Sequence, residues 1–317
     1  MPPAEQEKTF STYNTAQGQR YADARPDYHP SVYKLVLDQH RTTGGKFDTI
    51  LDVGCGPGNV ARTLAPHFAN VYGLDPAPGM LATARALGGT SASGAPIQYA
   101  RGTADDLTKA GTDDEDGSFA LANNSVDLIT AANAAHWFDM RSFWKSAAAV
   151  LVPGGSVALW TTGALSIHPD TVAAAAIQDI VTNYYEKELG PYVNAGSLLV
   201  RNQYRDLVLP WTEPEAPIPE FDKAGFFRRD WQMGELFVGE KEIEVNLDLL
   251  ERVLATSSAH TRWCEAHPED VGTPRDPLKL LRAKIEEIQH VAGVEKGKET
   301  VKGVALGTVM IVKKKTE

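Results

Sequence analysis

Two cysteines, Cys55 and Cys264, stand in a chain of 317 residues. They are too few for a disulfide framework and fit a reducing compartment. No apolar run approaches the ~20 residues that a membrane-crossing helix needs. The opening segment MPPAEQEK also lacks the basic-then-apolar order of a secretory signal. The expectation is therefore a cytoplasmic location without a membrane partner. Basic charge is scarce as well: 31 Lys and Arg against 41 Asp and Glu leave a formal net charge of −10. Neutralising phosphates takes a basic face, so nucleic acid is not an expected partner. The chain has no GxxxxGK[ST] run, which removes the loop that cradles nucleoside triphosphates. No internal repeat or long low-complexity tract is visible, and no metal site is assigned. Oligomeric state leaves no signal.

What is present is a chain 43% apolar, enough to bury one large core or a core with an appended lobe. It is organised around the stretch Thr49–Asp75. Ile50, Leu51 and Val53 form a short apolar run suited to a strand covered on both faces. Gly54, Cys55, Gly56, Pro57 and Gly58 then break regular structure and let the backbone approach a ligand. Asn59 to Phe68 resume a helical pattern, with Val60, Leu64 and Phe68 on one face. Val71–Leu74 is the next strand, ending in Asp75. Such a unit binds a nucleotide outside the carboxyl ends of the strands. A dinucleotide fingerprint needs a third glycine at position 59, where this chain has Asn59. The pattern is GxGxG, and the acidic residue 75 − 54 = 21 positions on suits unphosphorylated ribose hydroxyls. The competing reading is a tight turn between core elements.

Further strands are predicted at Ile97–Ala100, Val126–Ala131, Ser156–Trp160, Phe226–Met233 and Thr308–Val312. Helices are predicted from Pro30 to about Gln39, over Phe138–Leu151, Thr171–Leu189, Tyr192–Leu207 (with Arg201, Tyr204 and Arg205 spaced for one helical face), about Lys241–Thr256 and Pro277–Ala292. Lys109–Ser125, with its acidic run, reads as a solvated surface loop, and Pro210–Pro219 as a connector. The fold class is α/β: a doubly wound, mostly parallel seven-stranded sheet with an N-terminal lid and a helical cap. The expected boundaries are 1–45 for the lid, 46–162 for the nucleotide-binding core, and 163–317 for the remaining strands and cap.

DVGCGPG followed by VYGLDPAPGML resembles class I S-adenosylmethionine-dependent methyltransferases. YADARPDYHP, IQYARGTADDL, NAAHWFD and LVPGGSVALW narrow the resemblance to the trans-aconitate methyltransferase-like small-molecule enzymes frequent in fungi. It runs from about Phe10 to the end, specific through Trp160 and looser afterwards. It implies a Rossmann-like fold, S-adenosylmethionine as cofactor with S-adenosylhomocysteine as product, and a small-molecule acceptor, often in secondary metabolism. By this resemblance Asp52, Gly54, Cys55, Gly56 and Gly58 form the cofactor loop. Asp75 and Pro76 end the next strand, and Met80 covers one face of adenine. Thr103, Ala104 and Asp105 reach the adenine amino group, with Asp106 as the substitute. Asn133, Ala134 and Trp137 complete the cofactor side. In the lid, Tyr13, Arg20 and Tyr21 cap the cofactor, and Arg20 could grip its carboxylate through a two-pronged contact.

His136 and Trp137 end the fourth strand, where cofactor and substrate should meet. Arg25, Tyr28, Tyr204 and Arg205 are assigned to the substrate, with Arg201, Arg228, Arg229 and Arg262 as further orienting cations. Methyl transfer from a sulfonium is an in-line displacement, so alignment alone contributes roughly 7–11 kcal/mol. A carboxylate acceptor, ordinary pKa about 4, needs no base at pH 7. A phenol would gain from one, and His136 is the candidate catalytic residue. Carboxylate O-methylation of a small organic acid is the leading expectation. The alternatives are O-, S- or N-methylation of a phenol, thiol or amine, and an inactive cofactor-binding regulatory protein. A nicotinamide-dependent oxidoreductase is opposed by Asn59.

Overall fold

A computed structural model describes Gly18 and residues 26–109, 119–212, 217–240 and 244–316. Helix α1 (Pro30–Thr42) starts where His29 accepts from the Ser31 amide and Pro30 supplies a preset φ. Strand β1 (Thr49–Val53) is buried at all five positions, as a strand covered on both faces must be. There follow α2 (Asn59–Leu64), β2 (Asn70–Asp75), α3 (Pro78–Leu87), β3 (Gln98–Arg101), β4 (Val126–Ala132), α4 (Met140–Val150) and β5 (Leu151–Ile167). Helices α5 (Ala174–Asn183) and α6 (Ala195–Arg201) begin the second half. They are followed by β6 (Phe221–Asp230), β7 (Glu244–Asn246), α7 (Leu247–Ala255), α8 (Ser258–Ala266), α9 (Pro277–Val291) and β8 (Thr300–Lys314).

The sheet runs β3-β2-β1-β4-β5-β8-β6. Strands β1 to β5 pair in parallel, and β8 inserts antiparallel between β5 and β6. This is the doubly wound, mostly parallel sheet that the sequence predicts, with one addition. The short β7 pairs with the start of β8, which makes the sheet eight-stranded and takes the first residues of the helix predicted at Lys241–Thr256. Other departures fall in the same half. SSAHTRWCEAHPED, expected to separate helices, itself forms α8, because Ser257 caps it by accepting from the His260 amide. The helix predicted over Tyr192–Leu207 stops at Arg201. Gln203 and Tyr204 have φ of 56° and 59°, a left-handed conformation that no helix tolerates. Arg201, Tyr204 and Arg205 therefore do not share one helical face.

Alternation along β1 sorts its side chains to two cores. Leu51 and Val53 join Trp144 and Phe143 on one side of the sheet, while Ile50 joins Phe68 and Trp160 on the other. Each such side chain contributes roughly 1.5–3 kcal/mol by leaving water. A third core belongs to the cap: Ile177 and Val181 of α5, Leu250 and Leu254 of α7, and Leu281 and Ile285 of α9.

At the amino edge of the sheet His40 is fully buried. Its Nε2 lies 2.7 Å from the Lys46 carbonyl and its Nδ1 2.8 Å from Ser156 Oγ. Lys313 Nζ donates to the same Ser156 oxygen at 3.1 Å. Nε2 must carry the proton to serve the carbonyl, so Nδ1 accepts from Ser156. Burial lowers the His40 pKa from 6.5 to about 4. The unfolded chain therefore takes up a proton in that window and the folded chain does not. Stability should be full above pH 6.5 and fall as pH drops from 6.5 toward 4, by up to about 3 kcal/mol. Urea unfolding of wild type and His40→Gln across that range checks this. Parallel pH dependences in the two proteins would refute it.

Candidate active site

The glycine loop is shaped by Asp75. Its Oδ2 accepts from the Gly56 amide and its Oδ1 from the Ala77 amide, each at 2.8 Å. One carboxylate thereby ties the loop to the start of α3. Gly54 has φ +67°, and a Cβ there would lie 2.6 Å from the Ala134 side chain. Only glycine meets both conditions. Its amide donates to Leu74 O at 2.7 Å, which folds the loop back over β2.

Asp52 is 1% exposed. Its Oδ1 accepts from Thr130 at 2.7 Å, whereas among the described residues Oδ2 is buried without a hydrogen-bond partner. Asp52 borders a cavity of about 1160 Å³. Burial, opposed by the Thr130 bond and aided by the Asp75 charge, raises the Asp52 pKa to about 7.

The cavity is lined by Tyr28, Asp52, Gly54, Cys55 and Gly56 on the loop side, and by Asp75, Pro76 and Met80 beyond β2. Thr103, Ala104 and Asp105 line it after β3, and Asn133, Ala134, His136 and Trp137 after β4. Fifteen residues expected from the sequence thus converge on one space. Gly58 is not among its walls; it starts α2 at φ +84° beside the Tyr99 hydroxyl. Asp105 borders the cavity, while Asp106 is bound to Thr108 and Lys109. Tyr13, Arg20, Tyr21 and Arg25 lie outside the described residues. Gly18, between them, is buried, and a Cβ there would lie 2.6 Å from the Gly79 carbonyl at the start of α3.

Asn133, in a left-handed conformation at φ 48°, ties the strand ends together. Its Oδ1 accepts from Thr161 Oγ1 at 2.7 Å and the Thr162 amide at 3.0 Å, and its Nδ2 donates to Tyr28 Oη at 3.0 Å. His136 follows in a single tight turn, Ala135–Trp137. Its Nδ1 lies 2.9 Å from Tyr204 Oη. Burial pushes its pKa down to about 3, so the ring is neutral at pH 7. Tyr204 itself is 1% exposed and stands behind His136, outside the cavity wall.

The acceptor-side expectations divide. Arg201 lines the cavity, its guanidinium 5.8 Å from the centre of the Tyr185 ring and 3.7 Å from Glu186. Arg205 points away, 3.5 Å from Asp230. Arg228 is held by Gln203 O and Asp230, Arg229 by Glu235, and Arg262 by Tyr192 O. None of these four borders the cavity. Sequence reasoning missed the aliphatic side chains Leu249 and Val253 of α7, which face the same space half-buried. Their i, i+4 spacing is visible in LDLLERVLA, but not which partner they face.

Among the described residues, no group of three or more His, Cys, Asp or Glu is placed to hold a metal ion. No described helix is long and apolar enough to cross a membrane. Residues 51–159 match the family described as "Methyltransferase domain". Residues 51–159 form a methyltransferase domain. Methyltransferase cfoB of Aspergillus candidus is 30% identical over 173 residues, covering 54% of this chain and 50% of that protein. Trans-aconitate 2-methyltransferase of Streptomyces avermitilis is 32% identical over 162 residues, covering 48% and 51%. The chain spans about half the length of these curated relatives. A solved structure described as a candidate type II methyltransferase from Anaeromyxobacter dehalogenans superposes with TM-score 0.55 at 23% identity, covering 92% and 97%. That likeness shows the fold.

Class I domains use S-adenosylmethionine, and the residues present fit it. The partnerless Asp52 Oδ2 suits an ammonium, Asp75 suits ribose hydroxyls, and Gly54 and Gly56 allow close approach of the backbone. An ammonium beside Asp52 favours the ionised carboxyl, so cofactor binding should expel a proton below pH 7. Affinity is expected to rise about tenfold between about pH 6 and about pH 8 and to flatten above that. Calorimetry in buffers of differing ionisation enthalpy measures the released proton. A pH-independent affinity in wild type would exclude this role for Asp52.

Proposed function

We propose that the chain transfers a methyl group from S-adenosylmethionine to a carboxylate oxygen of a small organic acid. The cofactor supplies an electrophilic methyl on a sulfonium. The protein's part is to align an oxygen nucleophile with it, exclude water and hold the acid still. The observation that carries this reading is Arg201, a cation on the wall of the cavity that also holds Asp52 and Asp75. A guanidinium resting on an aromatic ring keeps its in-plane donors for a carboxylate. The name of the Streptomyces avermitilis relative, a trans-aconitate methyltransferase, points the same way. Leu249 and Val253 add that the acid has an apolar body for them to cover. Such a carboxylate is ionised at neutral pH and requires no base.

The test is methyl transfer from radiolabelled S-adenosylmethionine to a panel of mono-, di- and tricarboxylic acids, phenols, thiols and amines. A base-labile ester as product is the expected result. Arg201→Gln should raise KM for the acid about tenfold or more, the loss of one charged hydrogen bond. Cofactor affinity should stay unchanged. A base-stable ether, thioether or amine product would overturn the carboxylate assignment.

A further inference from the structure

The apolar face of α7 is not wholly closed against a neighbour. Leu249, Leu250, Val253 and Leu254 all border the cavity, and their spacing puts them on one side of the helix. The opposite side is charged, with Asp248 and Glu251 paired to Arg282 of α9. Leu250 and Leu254 are buried in the core of the cap, whereas Leu249 and Val253 are only half-buried. The far ends of β5 and β8 add Leu165, Val304 and Ala305 to the cavity walls, half-buried as well. These five aliphatic side chains are partly uncovered inside the molecule and not on its outer surface. Uncovered apolar area in a concave site marks a ligand groove.

Polar groups in this part of the wall are already engaged with the protein. Lys302 Nζ lies 3.2 Å from Asp170. Ser197 Oγ donates to Asn194 Oδ1 at 2.9 Å, and Ser257 Oγ accepts from the His260 amide. The groove also has a direction. Gly196 of α6 packs on the His136 turn, where an added Cβ would stand 2.7 Å from the His136 carbonyl. The next residue, Ser197, has its Oγ 3.4 Å from Ser258 Oγ, just past the end of α7. Arg201 is one turn further along α6. The carboxyl end of α7 therefore lies beside the reacting edge, and Leu249 lies farther from it. From Leu249 to Ser257 the chain advances 257 − 249 = 8 residues, roughly 12 Å at the helical rise.

We infer that the methyl acceptor is an amphipathic monocarboxylate. Its carboxylate sits at the α6 end near Arg201, and its aliphatic tail lies along α7. An extended chain advances about 1.2 Å per bond, so the groove takes a tail of roughly eight to ten carbons. This deepens the carboxylate reading and rests on it for the headgroup alone; the tail follows from the walls. Leu249 and Val253 then determine which acids are accepted. A small polyacid would set a second charge against aliphatic walls, and an unpaired charge out of water is costly.

The experiment is a series of straight-chain monocarboxylates from butanoate to tetradecanoate, with tricarballylate as the small polyacid. Each is assayed for transfer from radiolabelled S-adenosylmethionine. The expected kcat/KM rises about fourfold per methylene, equivalent to about 0.8 kcal/mol, and levels off near decanoate. Tricarballylate should react more slowly than any acid on the plateau. Leu249→Gln and Val253→Thr keep the size of the side chain and put a polar atom in the groove. Each should lower kcat/KM for decanoate about tenfold, with affinity for S-adenosylhomocysteine unchanged and folding checked by thermal melt. Wild-type dependence on chain length in both folded variants would refute the role of α7. A flat series, or tricarballylate as the best substrate, would overturn the tail and leave the carboxylate reading intact. If no acid reacts but alkylphenols or alkylamines show the same rise with length, the tail stands and the carboxylate reading falls.

Discussion

Asp75→Ala should weaken S-adenosylmethionine binding at least 100-fold while the sheet still folds. The carboxylate accepts from Gly56 and Ala77 amides at 2.8 Å each. Hydrogen bonds to a charged group contribute about 1.5–3 kcal/mol each. Alanine removes both and frees the glycine loop to leave its binding conformation. It also removes the acceptor that the sequence assigns to ribose hydroxyls. Losses of about 3 kcal/mol or more correspond to the stated 100-fold. Asp75→Asn separates the two roles: it keeps the size and one carbonyl acceptor but turns a donating carboxamide NH2 toward one of the backbone amides. Its affinity should fall between wild type and alanine. Calorimetric titration of the three proteins is the measurement, and an Asp75→Ala affinity within threefold of wild type would refute the role.

Gly196→Ala should cost about 100-fold in kcat with cofactor affinity falling less than tenfold. Helix α6 lies directly on the turn that carries His136 and Trp137. A Cβ on Gly196 would stand 2.7 Å from the His136 carbonyl and 3.3 Å from the Trp137 ring. The first of these neighbours is backbone, so the conflict cannot be relieved by turning a side chain. On an open helix alanine would gain about 1 kcal/mol over glycine. Here overpacking reverses that gain, at about 1–3 kcal/mol of stability. Either α6 moves out, taking Arg201 with it, or the His136 turn shifts along the sheet edge. A misplacement near 1 Å is enough for a 100-fold loss in an alignment-driven reaction. Asp75 and the glycine loop are untouched, hence the milder effect on the cofactor. Single-turnover kinetics beside a thermal melt would check it, and wild-type kcat with a lowered melting temperature would disprove the alignment argument.

The glycine-loop side of the cavity was legible because it is local. Gly54, Gly56 and Asp75 lie within one strand–helix–strand unit, whose period and turn chemistry can be read in order. Asp52 and Met80 came with it. The acceptor half is built from distant segments. His136 was found because it ends a strand, but its partner Tyr204 depends on a left-handed bend that nothing in the local pattern announces. The same bend misdirected the reading of Arg201, Tyr204 and Arg205 as one helical face. Strand β7 went unseen because three residues against a longer partner carry no period of their own. The arginines show the general difficulty: composition supplies cations, and only packing decides which of them meet the cavity.

Strands β5 and β8 run 17 and 15 residues, past the ends of β4 and β6. Their far halves, paired from Leu165 to Ile167 against Gly303 to Ala305, stand beside the cavity as a cantilever rooted in the core. The cap helices are joined to the tips of that beam. Swinging the cap outward would mean bending two hydrogen-bonded strands together, with the register shift between Thr162 and Leu165 as the one soft joint. On the other side, among the described residues, a backbone bridge joins Tyr28 to Val238, with the His29 amide on the Phe237 carbonyl.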